Sequence, residues 1–126
     1  MKQSKIKKVS GILISLFYIL AGINHFWHAG FYYELIPDYL PAHNFINIFS
    51  GIAEIVLGIG IFFKQTKFLS AVGIIILLIL FLPAHIWFIQ KGGCMGESLC
   101  VPVWVAWVRL IVFHPLLIAW AWWHRK

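Results

Sequence analysis

Residues 44–63 read NFINIFSGIAEIVLGIGIFF, an apolar run holding one ionisable side chain, Glu54. A helix of about 20 residues spans the ~30 Å hydrocarbon core of a bilayer, so this stretch is long enough to cross. An ionised group near the bilayer centre costs at least ~2.5 to 3.5 kcal/mol, and such groups therefore face protein, take a partner and mark a site. Asn47, Gly51, Glu54 and Gly58 recur at helical offsets of three and four. They put the acid on a face whose glycines permit close approach of a second backbone.

Three further runs have the same length and character, residues 9–29, 68–90 and 103–123. The chain of 126 residues is 62% hydrophobic and 11% charged, with mean hydropathy +0.90, which excludes a soluble domain of this size. The expected fold is all-α, a transmembrane four-helix bundle forming a single domain over residues 1–126. The formal charge of +6 is distributed by topology. Lys2, Lys5, Lys7, Lys8, Lys64, Lys67, Arg125 and Lys126 fall at one end of the spans, against Lys91 alone at the other. By the positive-inside rule both termini are cytoplasmic, the loops 30–43 and 91–102 lie outside, and the chain is a multi-pass protein of the cell (inner) membrane. The same distribution argues against nucleic acid as a partner; the lipid bilayer is the expected one. A lysine-rich start before an apolar run also describes a signal peptide. The run is longer than a signal core, however, and Asn24, His25, Phe26 and Trp27 stand where small residues would be needed for cleavage, so the first span is read as retained.

In that span Gly11, Ser15, Tyr18, Gly22 and His25 form one stripe of small and polar groups, which should face protein. In the third, Pro83 predicts a kink near His85. In the fourth, Arg109 is the only base in the run 103–123, and its sign invites an ion pair with Glu54. Trp104, Trp107, Trp120, Trp122 and Trp123 cluster toward the ends of that span as interfacial anchors. Between the first two spans, Phe31, Tyr32, Tyr33, Ile36, Tyr39 and Leu40 alternate with Glu34 and Asp38. Pro37 and Pro41 forbid a long helix there, so an amphipathic segment at the outer surface is expected.

At ~1.5 Å per residue, His25, Glu54, His85 and Arg109 lie roughly 6 to 15 Å below the outer boundary, one from each span. Three readings fit this layer: a structural Glu54–Arg109 pair, a quinone-type small-molecule pocket, and a metal or haem site. The last is weakest, and no metal ligand is assigned. His25 and His28 could share a face with His85 and Glu54 nearby, but neither Glu-x-x-His nor His-x-x-x-His occurs. His114, five residues from Arg109, falls roughly 140° around an α-helix from it, and is read as local structure or a separate site. Cys94 and Cys100 share an outer loop in a compartment that permits disulfides, so a bridge closing it is expected, worth at most ~2 kcal/mol. The redox spacing Cys-x-x-Cys is absent.

Several fragments together resemble the DoxX-like family of small four-helix membrane proteins: Gly22-Ile23-Asn24-His25-Phe26, Ile36-Pro37-Asp38-Tyr39-Leu40-Pro41, Ser50-Gly51-Ile52-Ala53-Glu54, Pro83-Ala84-His85 and Trp107-Val108-Arg109-Leu110. The resemblance covers nearly all of the chain after Val9. It implies a compact bundle with its motif residues inside: Glu54 and Arg109 as candidate catalytic groups, and His25, His85, Asn24 and Trp107 as candidate ligand contacts. Named members are associated with a thiosulfate:quinone oxidoreductase or with membrane oxidative-stress complexes, and most have no assigned activity. A proline and then a glutamine often follow the arginine in that family; here Ile111 and Phe113 occupy those offsets. The expected function is the membrane subunit of a quinone-linked oxidoreductase, dependent on a redox partner protein because four spans leave no room for a flavin domain. The alternatives are a small-solute transporter, which would require a homo-oligomer, and a non-catalytic assembly protein.

Overall fold

A computed structural model describes residues 2–95 and 99–126; residue 1, residues 96–98 in the second loop, and the side chains of 1–4 and 95–99 lie outside the described residues. Four helices are long and apolar enough to cross a membrane, Lys5–Trp27, His43–Ile61, Lys67–Gln90 and Val103–Trp123. The elements are α1 (Lys2–Trp27), a short α2 (Ala29–Leu35), α3 (His43–Ile61), α4 (Lys67–Leu80) and α5 (Leu82–Gln90), then the strands β1 (Cys94–Met95) and β2 (Leu99–Cys100). The fourth span is α6 (Val103–Val108), a π-helical turn over Arg109–Phe113, and α7 (His114–Trp123). Large apolar side chains cover the outside of all four spans, among them Leu20, Ile52, Leu69 and Ile111. A continuous apolar surface of that extent is a lipid-facing one.

The predicted inward stripes are the ones that pack. Ser15, Tyr18, Gly22 and His25 of α1 are buried, as are Asn47, Gly51, Glu54 and Gly58 of α3, and the two helices run against each other closely. A Cβ on Gly22 would lie 2.5 Å from the Gly51 carbonyl oxygen, and one on Gly51 2.9 Å from the His25 Cβ. A Cβ on Gly58 would meet the Ser15 carbonyl oxygen at 2.9 Å. Backbone thus touches backbone where lipid supplies no hydrophobic force, and close van der Waals packing holds the pair.

The third span breaks at Phe81, between α4 and α5. Pro83, in the first turn of α5, cannot donate to Ile79 and its ring crowds that carbonyl. The ladder resumes with the His85 N–H donating to Phe81 O at 3.3 Å. In the fourth span, Pro115 would crowd Ile111 in the same way. There the chain adopts a π turn instead, the His114 N–H donating to Arg109 O, one of the accepted ways of absorbing such an interruption.

Two apolar clusters form the interior. One, near the chain termini, comprises Ile14, Tyr18, Ile61, Ala71, Ile74, Leu78 and Ala121; the other, at the far end, joins Leu35, Phe88 and Ala106. The segment between the first two spans is two-sided: Glu34, Asp38 and Tyr39 are exposed, while Leu35, Ile36 and Pro37 are buried. The seven-residue α2 packs on α3 and α5, so its apolar side covers the mouth of the bundle. Its neighbour is the β1–β2 hairpin, closed by a Cys94–Cys100 disulfide. Lys91 beside the hairpin reaches Glu34 of α2 at 3.9 Å.

At the terminal end, Trp120 Nε1–H donates to Ser10 Oγ at 2.7 Å, and that hydroxyl lies 2.9 Å from His124 Nε2. Trp120 therefore ties the first span to the fourth rather than serving only as an interfacial anchor. His124 is fully buried; burial, with Lys67 and Lys7 nearby, pushes its pKa down.

Gly22→Ala should lower the melting temperature in detergent by about 5 °C or more, the cost of forcing a methyl group into packed backbone. Gly30→Ala, where nothing lies within 4 Å, should leave it unchanged or raise it. His124 is neutral in the fold, so its contribution is complete above the unfolded imidazole pKa of about 6.5 and declines as pH falls below that value. Thermal scans from pH 8 to 5 should show this loss (roughly the window set by that pKa), and His124→Gln should flatten it.

Candidate functional site

Between the two apolar clusters lies a cavity of about 500 Å³, within the range of small-molecule sites. Its walls are mainly apolar, from Phe17, Ile46, Phe81, Phe113 and Leu117, and Leu35 to Pro37 and Leu40 close one end. Eight polar side chains line it from the spans: Tyr18 and His25 on α1, Asn47, Ser50 and Glu54 on α3, His85 on α5, Arg109 on the π turn and His114 at the start of α7.

Glu54 is paired with His25, not with Arg109. His25 Nε2 lies 3.4 Å from Glu54 Oε2, whereas no carboxylate among the described residues lies within ion-pair distance of Arg109. The two helices run antiparallel, with Gly58 against Ser15 and Gly22 against Gly51, so Asn47 lies level with His25 and the imidazole reaches Glu54 past the bare Gly51. The expected Glu54–Arg109 pair is thus corrected: both groups face one cavity, but α1 reaches the acid first.

Asn47 fixes the imidazole. Its Nδ2–H donates to the His25 carbonyl oxygen at 2.9 Å, which directs its Oδ1 toward the ring. His25 Nδ1 lies 2.8 Å from that oxygen and must donate to it. The other ring nitrogen, Nε2, faces Glu54 Oε2 at ion-pair distance without a hydrogen bond between them. A buried acid and base side by side on a cavity wall can exchange a proton with a ligand. Tyr32 of α2 covers the ring, stacked at 3.9 Å, and its hydroxyl accepts from Asn24 Nδ2 at 2.8 Å. Burial pushes the Tyr32 phenol up, keeping it neutral.

A basic group lines the same cavity. The His85 and His114 rings meet edge to face at 4.8 Å, and the Arg109 guanidinium sits 5.9 Å from the Phe88 ring centre. His114 was expected on another face of the helix, and the π turn is what changes this: a five-residue turn returns the chain to the side that Arg109 occupies. The sequence signal was Pro115, whose ring makes the α-helical angle a poor guide just there.

Of the other candidates, Asn24 does not line the cavity; it accepts from His28 Nδ1 at 2.6 Å while holding Tyr32. Trp107 is 47% exposed and points away from the cavity lining. Tyr18, Asn47 and Tyr32 were not singled out as site residues, although Tyr18 stood on the recognised stripe. Among the described residues no group of three or more histidine, cysteine or acidic side chains is arranged to hold a metal ion.

No curated protein and no solved structure matches the chain significantly. A family model does match, over residues 14–125. That range includes the whole cavity lining, from Phe17 to Leu117. The chain belongs to the family described as Domain of unknown function (DUF8561).

Proposed function

We propose that this multi-pass membrane protein is the membrane subunit of a quinone-linked oxidoreductase, with its cavity in the outer half of the bilayer receiving a quinone-type molecule. The observation that carries the reading is the adjacent His25–Glu54 pair on the wall of an apolar cavity of about 500 Å³. The polar lining fits such a molecule: the buried Tyr18 hydroxyl and His114 Nε2 have no hydrogen-bond partner, and a ligand with oxygens at its edges would supply partners to them. A bound quinone takes up two electrons and two protons in becoming a quinol, the electrons coming from a redox partner protein. His25 and Glu54 would deliver the first proton and be recharged from the end closed by Leu35 to Pro37, while Arg109 would favour negative charge on a ligand oxygen.

The resemblance to DoxX-like proteins supports a redox reading, and the lysines at the terminal end support an orientation with both termini cytoplasmic. A carrier is less well supported, since the packed cluster around Ile14, Ile74 and Ala121 closes the terminal side of the cavity.

A short-chain quinone should saturably quench the tryptophan fluorescence of the purified protein. In membranes containing the partner system, Glu54→Gln should cut quinone reduction about a hundredfold or more, the usual scale for losing a proton-transfer group. Absence of binding, together with unchanged reduction by the variant, would exclude the reading. For orientation, cysteines introduced as Lys64→Cys and Lys126→Cys should react with an impermeant maleimide only after the cytoplasmic face is opened. Labelling of either in intact cells would reverse the topology.

A further inference from the structure

We infer that the cavity selects a ligand carrying a negative charge: a membrane-soluble amphipathic acid whose ionised oxygen is bound by Arg109 with His85 and His114, and whose apolar body fills the remaining volume. The inference rests on the proposed ligand pocket and deepens it by naming the charge of its occupant.

Glu54 stands against His25 at 3.4 Å and is not within ion-pair distance of Arg109, so the acid does not neutralise the guanidinium by direct contact. No carboxylate lies within ion-pair distance of Arg109 among the described residues. The residue is exposed rather than buried, and its guanidinium stands over the face of Phe88, far weaker compensation than an anion. Within a membrane span a guanidinium with five donors is costly unless something accepts from it.

His114, whose ring meets that of His85, is 4% exposed with Nε2 unpartnered and lines the cavity. Buried polar atoms are ordinarily satisfied. An oxyanion beside Arg109 would accept from the guanidinium and from a protonated His114 Nε2 together. The π turn is the device that brings Arg109 and His114 onto one side, and Pro83 sets the turn that presents His85 to them. The apolar walls from Phe17, Ile46, Phe81 and Leu117 then suit a hydrocarbon or ring body. Two sources share this chemistry, an acidic hydroxyquinone and a fatty acid.

Binding to the purified full-length protein in an uncharged maltoside detergent separates the possibilities. The probes are an alkyl hydroxynaphthoquinone with its methyl ether, and dodecanoate with methyl dodecanoate, each followed by tryptophan quenching or calorimetry. Each acid should bind about tenfold or more tightly than its ester or ether, the scale of a charge-assisted hydrogen bond. For the hydroxyquinone the preference should grow as pH rises through the ligand's own pKa. Arg109→Gln should erase the preference for the acid over its neutral partner, with Arg109→Lys restoring part of it. The acid pair that shows the larger preference identifies the source. Equal binding of acid and neutral partner in the unaltered protein, which needs no variant, would overturn the inference and leave the pocket reading standing. A preference that survives Arg109→Gln would overturn it too. Failure of all four probes to bind would remove the pocket reading and the inference with it.

Discussion

Glu54 cannot be left ionised and alone in hydrocarbon, and the rest of the bundle is arranged around that constraint. Its partner is a histidine on the neighbouring helix at 3.4 Å, and the histidine is itself held by Asn47 at both its ring and its backbone. Such a contact requires α1 and α3 to come together closely, which residues with side chains would prevent. Gly22, Gly51 and Gly58 are therefore the structural counterpart of the pair. Small residues fix the approach, and the approach fixes which base meets the acid.

Two prolines do comparable work in the third and fourth spans. Pro83 and Pro115 each remove a helical donor and crowd the carbonyl four residues earlier. The third span responds with a break at Phe81 and the fourth with a π turn. Both distortions aim histidines at the cavity, so that His85 and His114 meet edge to face beside Arg109. Interruptions of this kind recur at functional sites because they point side chains where a regular helix would not. The short α2 and the disulfide-closed hairpin complete the enclosure, joined by Lys91 and Glu34.

The four spans and their inward faces were readable because apolar length and helical periodicity are local properties. The stripe through Ser15, Tyr18, Gly22 and His25, and the one through Asn47, Gly51, Glu54 and Gly58, needed only offsets of three and four. The partner of Glu54 was not readable in that way. Opposite charge favoured Arg109, but helix contact decides which groups can touch, and contact depends on where glycines let backbones meet. His114 was misplaced because a regular helical angle was carried across a stretch that Pro115 distorts. Trp120 looked like its neighbouring tryptophans until Ser10 supplied a hydrogen-bond partner from a helix more than a hundred residues away in sequence. That the apolar side of α2 covers the bundle mouth depended on the bundle leaving one, which no local pattern reports.

The resulting picture is a small bundle with an apolar cavity lined by a His25–Glu54 pair and by an arginine that no carboxylate among the described residues pairs with. That division follows from Glu54 belonging to His25 rather than to Arg109. A double-mutant cycle on unfolding free energy addresses this, combining Glu54→Gln with His25→Gln and, separately, with Arg109→Gln. The account predicts a coupling of about 1 kcal/mol or more between Glu54 and His25, and a coupling within about 0.5 kcal/mol of zero between Glu54 and Arg109. Strong coupling to Arg109 with none to His25 would contradict it.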